Sequence, residues 1–233
     1  ELLGMYYSSN NTDQSDIIKA VNDHTISANS VYEFNNNHLT LLCLAIGKKD
    51  YELIDCLIAN GCDVDLESHV INQLGDMYLT PIDIAVEKKN IIALKKLLEA
   101  GANVNKKTRF SGGAKGDGVL SVLSVAASCC EVEILKCLIE KGADPNTEDH
   151  DKTGTSFPLS YAIFAHKYDN AKFLIKSGAD VNYILRGPNA DFSLLNWTIM
   201  NNDVEGFDIL MNAHADPDCV RVSHEGWGNN PES

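Results

Sequence analysis

The sequence predicts an all-α solenoid: stacked helix-turn-helix units joined by extended finger loops. Three observations carry that prediction. A stretch of 26 residues recurs five times with no internal gap: Thr40–Asp65, Thr80–Asn105, Ser121–Asn146, Phe157–Asn182 and Ser193–Asp218. Within the copies, apolar residues recur at helical spacing; Leu53, Ile54, Leu57 and Ile58 share one face, as do Ile134, Leu135, Leu138 and Ile139. Glycine closes four copies, at Gly61, Gly101, Gly142 and Gly178, where a left-handed residue ends a helix at low steric cost. A pair of short helices cannot bury its own apolar face, so neighbours must stack, and a repeat of this period marks an array.

The elements follow in order. Residues 1–38 read as a polar leader and a degenerate capping half-repeat: 1–15 are rich in Asn and Ser, and Asp16 to Val21 open a helix that covers the first full repeat. Residues 39–218 hold the repeats, at about 39–65, 80–105, 121–146, 157–182 and 193–218. Thr40, Thr80 and Ser121 precede apolar runs, where a hydroxyl caps free N–H groups. Pro81 and Pro158 come next, where a missing N–H costs nothing. From Thr40 to Thr80, Ser121, Phe157 and Ser193 the intervals are 40, 41, 36 and 36 residues, against roughly 33 for a plain unit of this kind. The excess falls in fingers at 66–79, 106–120, 147–156 and 183–192. The stretch from Arg109 to Gly118 is glycine-rich and reads as flexible without a partner. Residues 219–233 begin a further repeat or a C-terminal cap, with Asn230-Pro231 standing where Thr80-Pro81 stands earlier.

Composition narrows the function classes. The net charge is −14, which disfavours a nucleic-acid partner and makes a basic protein surface or peptide the natural complement. No stretch is apolar for 18 residues, so insertion into a membrane is not expected. Seven cysteines, two of them (Cys56 and Cys137) at one repeat position, read as small buried apolar residues. Unpaired core cysteines suit a reducing compartment, the cytoplasm or nucleus.

Candidate chemistry is sparse, and no catalytic, cofactor or metal residue is assigned. Gly112, Gly113, Gly116, Gly118 and Lys115 do not form G-x-x-x-x-G-K-[ST]. Asp144, Asn146, Glu148, Asp149 and Asp151 lack the glycine and glutamate of a calcium loop and read as a solvated acidic turn. Cys129-Cys130, Cys137 and His150 show no metal-ligand spacing, and no Cys or His stands in a nucleophile-base context.

These copies resemble ankyrin repeats. Thr80-Pro81-Ile82 and Phe157-Pro158-Leu159 match the T-P-L opening, Ala45, Ala85, Ala126 and Ala162 the small residue of the first helix, and Leu57-Ile58, Leu97-Leu98, Leu138-Ile139 and Leu174-Ile175 the apolar pair of the second. The family's histidine is replaced throughout, by Cys43, Asp83, Ser124, Ser160 and Asn196, and His214 stands in place of the closing glycine. The resemblance implies a non-catalytic protein-protein interaction module that binds a protein or peptide on a concave face of finger tips and first helices. By position that face carries Leu39, Met77, Tyr78, Leu79, Leu120, Phe164, Asp191, Phe192 and Met200, with Tyr78, Phe164 and Phe192 as aromatic anchors. The alternative is a substrate-targeting domain of a larger enzyme or of a secreted bacterial effector, which would act in host cytosol. The resemblance also implies a modification: an asparagine ending the G-A-D-V-N segment, with leucine eight residues upstream, can be hydroxylated. Leu174 and Asn182 meet that pattern fully, Leu97 and Asn105 nearly so; the plainer role of both asparagines is to build the turn. Oligomeric state is left open.

Overall fold

Each helix pair is set by its caps. The computed structural model describes residues 4, 6, 14–72, 75–112, 116–187, 190–219 and 222–223. Thr40, Ser121 and Ser193 accept the N–H of Cys43, Ser124 and Asn196 on their hydroxyls, each at 3.2 Å. Thr80 forms a capping box with Asp83, whose carboxylate takes the Thr80 N–H at 2.8 Å. Phe157 has no hydroxyl, and Ser160 Oγ accepts its N–H instead, at 3.1 Å. The second helices are capped too: Asp50, Asn90 and Asp203 accept N–H groups of Leu53, Ala93 and Gly206. The residue before each of these caps is left-handed: Lys49, Lys89 and Asn202 have φ of 59°, 50° and 53°.

The chain divides into two compact units, residues 1–117 with 140–142, and residues 118–139 with 143–233. The first holds α1 (Gln14–Asn22), β1 (Val31–Phe34), β2 (Asn37–Thr40), α2 (Leu41–Lys48), α3 (Tyr51–Ala59), β3 (Ser68–Asn72), β4 (Gly75–Leu79), α4 (Pro81–Glu87), α5 (Ile91–Glu99) and β5 (Lys107–Ser111). Here α1 packs on α3, α2 on α4, and α3 on α5. Ile17, Leu53, Ile54, Leu57, Ile82 and Leu94 are fully buried, each contributing about 1.5–3 kcal/mol by leaving water.

The second unit holds β6 (Gly118–Ser121), α6 (Val122–Cys129), α7 (Val132–Glu140), β7 (Asp149–Asp151), β8 (Gly154–Ser156), α8 (Pro158–Phe164), α9 (Tyr168–Lys176), β9 (Ile184–Arg186), β10 (Ala190–Ser193), α10 (Leu194–Met200), α11 (Val204–Asn212) and β11 (Val222–Ser223). In it α6 packs on α8, and α9 on α11. Asn170 is buried and donates to Ala127 O and Cys130 O, both at 3.0 Å, tying one repeat's inter-helix turn to the next.

The helix-turn-helix repeats stand, but the all-α expectation is corrected. The fingers are antiparallel β-hairpins, and successive fingers pair edge to edge, β2 with β3 and β4 with β5 in the first unit, β6 with β7 and β8 with β9 in the second. The reason is that a finger in plain loop form leaves its N–H and C=O groups unpaired, whereas neighbouring hairpins satisfy one another. The turns ending each repeat form a second ladder: Asp65 accepts the N–H of Asn103, Asn146 that of Asp180, and Asn182 that of Asp216. His214 takes the left-handed conformation of the glycine it replaces, at φ 62°. Residues 1–13 (apart from Gly4 and Tyr6), Gly113, Lys115 and the Asn230-Pro231 opening lie outside the described residues.

Candidate functional site

Strand register in the first unit lines up one row of side chains across five strands. Glu33 opposes His38, His38 opposes His69, His69 opposes Tyr78, and Tyr78 opposes Arg109. Opposed residues share a face of a sheet, so the row is continuous. The His38 and His69 rings are 5.9 Å apart, His69 stacks on Tyr78 at 4.8 Å and 14°, and the Arg109 guanidinium lies 4.8 Å over the Tyr78 ring. Such ring and cation contacts each contribute about 0.5–1.5 kcal/mol.

Carboxylates border the row. Arg109 Nη2 meets Glu67 Oε2 at 2.6 Å, and Lys106 Nζ meets Glu67 Oε1 at 3.3 Å and donates to Asp65 O at 2.7 Å. Partial burial alone would raise the Glu67 carboxyl; the hydrogen bonds from Arg109 and Lys106 outweigh it and hold the group below the usual glutamate range. Glu33 Oε1 is 3.4 Å from His38 Nδ1, and Asp76 Oδ2 is 3.7 Å from His69 Nε2. The row and the turn at 63–67 enclose an open groove of about 750 Å³. Its lining carries Glu33, Asp63, Asp65 and Glu67 against Lys106 and Arg109, a formal excess of two negative charges.

Strand alternation separates residues that the sequence reading grouped together. Tyr78 belongs to the groove row, while Met77 faces the other way with Val70 and Phe110, and Leu39 with Tyr32. Leu79 is buried, at 9% exposure. In the second unit Leu120 is half-buried; Phe192 is half-buried and opposes Leu185, and Asp191 opposes Arg186. Phe164 packs on Trp197 at 4.5 Å, and Met200 is 61% exposed. Sequence reasoning missed His69, Glu67 and Arg109. A period-2 reading of residues 68–79 would have found His69, because it alternates in step with Tyr78 across a hairpin.

Other expectations resolve as follows. Asp149 is no solvated turn residue: it is buried and accepts Ser121 N at 2.7 Å and Ser121 Oγ at 3.2 Å. Among the cysteines only Cys43 and Cys130 are buried; Cys56 and Cys137 are half-exposed, and Cys56 Sγ lies 3.3 Å from Asn22 Oδ1 of α1. Burial pushes the Cys43 and Cys62 thiols up to about 11, so both stay protonated at neutral pH. Among the described residues no group of three or more His, Cys, Asp or Glu side chains is placed to hold a metal ion, and no helix is long and apolar enough to cross a membrane. Asn105 and Asn182 are exposed turn residues; Asn105 Nδ2 donates to Gly142 O at 2.9 Å, and Asn182 Oδ1 accepts Asp216 N at 2.7 Å.

A family model described as ankyrin repeats (3 copies) matches residues 111–184, and one described as ankyrin repeat matches 78–109. The chain belongs to the ankyrin-repeat family. It is 29% identical over 148 residues to the nuclear factor NF-kappa-B p105 subunit of Gallus gallus, covering 64% of this chain and 14% of that protein. It is 27% identical over 167 residues to the putative ankyrin repeat protein L371 of Acanthamoeba polyphaga mimivirus, covering 72% and 20%. It is 36% identical over 107 residues to the ankyrin repeat and SOCS box protein 5 of Mus musculus, covering 46% and 28%. The chain thus spans less than a third of each of these relatives. Ankyrin repeats are generally protein-protein interaction modules and are themselves non-catalytic.

Proposed function

We propose that this ankyrin array is a non-catalytic binding module whose first unit takes an extended, Lys/Arg-bearing segment of a partner protein along the Glu33–His38–His69–Tyr78–Arg109 row. The observation that carries this reading is the groove beside that row. It joins a stacked aromatic floor to a carboxylate excess, and the whole chain adds a net charge of −14. Cationic side chains suit the carboxylates, pairing with Glu33 and Asp63, along a row held together by Tyr78, whose ring faces are taken by His69 and Arg109. Tyr78 is the anchor, being a ring with neighbours already fixed on both sides. Of the residues expected from the repeat pattern, Leu39, Met77, Leu120, Phe164, Asp191, Phe192 and Met200 belong to the surrounding surface in this reading, and Leu79 to the core.

The test is fluorescence anisotropy with a short Arg-rich peptide and a Glu-rich counterpart, at low and physiological salt. The Arg-rich peptide should bind, weaken with salt, and lose about tenfold in affinity with Tyr78→Ala or Glu33→Lys. Equal binding of both peptides, or no effect of either substitution, would refute the assignment.

A second reading has one observation in its favour. The relatives are several times longer than the matched region, and one is named for a SOCS box as well as its repeats. In that reading the array positions a partner for another part of a longer polypeptide. The same groove serves both readings, and the length of the natural reading frame distinguishes them.

A further inference from the structure

The turn that joins α6 to α7 departs from the matching turns of the other four repeats. At one place in those turns Lys49, Lys89, His166 and Asn202 are left-handed, with φ of 59°, 50°, 52° and 53°, and exposed. Cys130 holds that place in the third repeat. It is extended instead, at φ −98° and ψ 174°, and 0% exposed. Asn170 Nδ2 fixes this backbone from the next repeat by donating to Cys130 O at 3.0 Å. In this conformation the Cys130 side chain lies beside that of Cys129, the last residue of α6, and the two Sγ atoms are 3.7 Å apart. Cys129 is half-exposed, with its Sγ 3.1 Å from Val125 O.

Two adjacent thiols in contact suit an inserted atom better than a bond to each other. Consecutive Cα atoms are about 3.8 Å apart across a trans peptide, short of the roughly 4.4–6.8 Å that a disulfide usually spans. A bridging centre removes that conflict. With bonds to sulfur of about 2.3 Å, the length found at zinc, sulfurs 3.7 Å apart subtend about 107° at the centre. A linear two-sulfur ion would need about 4.6 Å between them. Among the described residues no third His, Cys, Asp or Glu side chain joins the pair to hold a metal ion. The ligand that fits is therefore bent at its centre and complete with two sulfurs. Zinc, which takes four ligands, is not satisfied here. Trivalent arsenic carrying one organic group is.

We infer that Cys129 and Cys130 form a dithiol site for a monosubstituted trivalent arsenical. Each thiol gives its proton to the oxygen of R–As=O; two As–S bonds form, and the oxygen leaves as water. Arsenic stays trivalent and no electrons are exchanged. Cys129, the accessible sulfur, bonds first. Cys130 then closes the ring from its place alongside, an intramolecular step favoured over capture of a second free thiol. The left-handed form adopted by the other four turns exposes this side chain, and gives Cys130 a route to the ligand.

The test incubates the reduced, native full chain with equimolar phenylarsine oxide and excess 2-mercaptoethanol, which strips arsenic held by one sulfur alone. Intact mass and peptide mapping should show a single adduct on Cys129 and Cys130, removed by 2,3-dimercaptopropanol. Circular dichroism of the adduct should match that of the free chain. Cys129→Ser, at a half-exposed position, should fold normally and lower the adduct yield at least about tenfold; Cys130→Ala should do the same. Cys56→Ser/Cys137→Ser should leave the yield unchanged. No adduct that resists the monothiol, an adduct mapped elsewhere, one retained by Cys129→Ser, or one formed only with loss of helix would overturn the inference.

Discussion

The fingers of the two units obey one register and differ in what that register presents. In the first unit β3 and β4 are five residues each, and the row across the strands is Glu33, His38, His69, Tyr78, Arg109. In the second, β7 and β8 are three residues each, and the corresponding row is Val119, His150, Thr155, Arg186, Asp191. His150 there bonds Thr155 Oγ1 at 3.2 Å rather than stacking on a ring. Two more residues per strand add about 7 Å of hairpin. That length is already visible in the repeat intervals, 40 residues from Thr40 to Thr80 against 36 from Ser121 to Phe157. Finger length, set by insertion between otherwise uniform helix pairs, is what separates the two sets of fingers.

Backbone approach between neighbouring fingers gives the largest expected break. Gly154 has φ 129°, and a Cβ on it would lie 1.7 Å from Arg186 O; Gly75 has φ 108°, and a Cβ there would lie 2.2 Å from Ser111 O. Gly154→Ala and Gly75→Ala should each cost about 2–3 kcal/mol or more. In urea unfolding the loss should be greater for Gly154, whose three-residue strands have less ladder to absorb the shift. Equal, negligible losses would mean that the fingers do not pair as described.

Binding should separate the units next. Tyr78→Ala is expected to cost about 1.5–2 kcal/mol in affinity for an Arg-rich peptide, whereas Thr155→Ala, at the matching place in the second unit, should cost less than about 0.5 kcal/mol. Calorimetric titration of both variants checks this. Similar losses would remove the functional distinction between the two sets of fingers.

Stability at the repeat ends gives a smaller effect. His214 holds a left-handed conformation where Gly61, Gly101, Gly142 and Gly178 hold it in the other repeats. His214→Gly should therefore stabilise the second unit by about 0.5–1 kcal/mol, read as a rise in the denaturation midpoint.

The smallest effect concerns pH. The Glu67 carboxyl lies below its ordinary range because Arg109 and Lys106 favour its charged form. A depressed carboxyl contributes stability above the unfolded glutamate range and loses it as pH falls through the folded value. Glu67→Gln should thus flatten the acid limb of stability in the first unit by less than about 1 kcal/mol, with no change in the second. A steeper acid limb in the variant would contradict the pairing.

Much of the fold was legible because its signals are local. Thr40, Thr80 and Ser121 announce first helices through caps, Gly61 and its counterparts end second helices, and apolar pairs such as Leu97-Leu98 mark the packed face. The hairpins were less legible. Their strands are only three to five residues long, and what pairs them is a neighbouring finger about 35–40 residues away, which no window of sequence contains. The same non-locality hid the groove: Glu67 and Arg109 meet across 42 positions, and Tyr78 parts from Met77 and Leu79 only once the strand exists. Asp149 illustrates the converse, an acidic residue in an acidic stretch that is buried because Ser121 lies opposite it.

The most direct test of the central claim is an amide chemical-shift titration of the whole chain with the Arg-rich peptide. Shifts confined to β1–β5 and residues 63–67, and absent in Tyr78→Ala, are the predicted result. Shifts centred on β7–β10, or spread evenly over both units, would contradict the account.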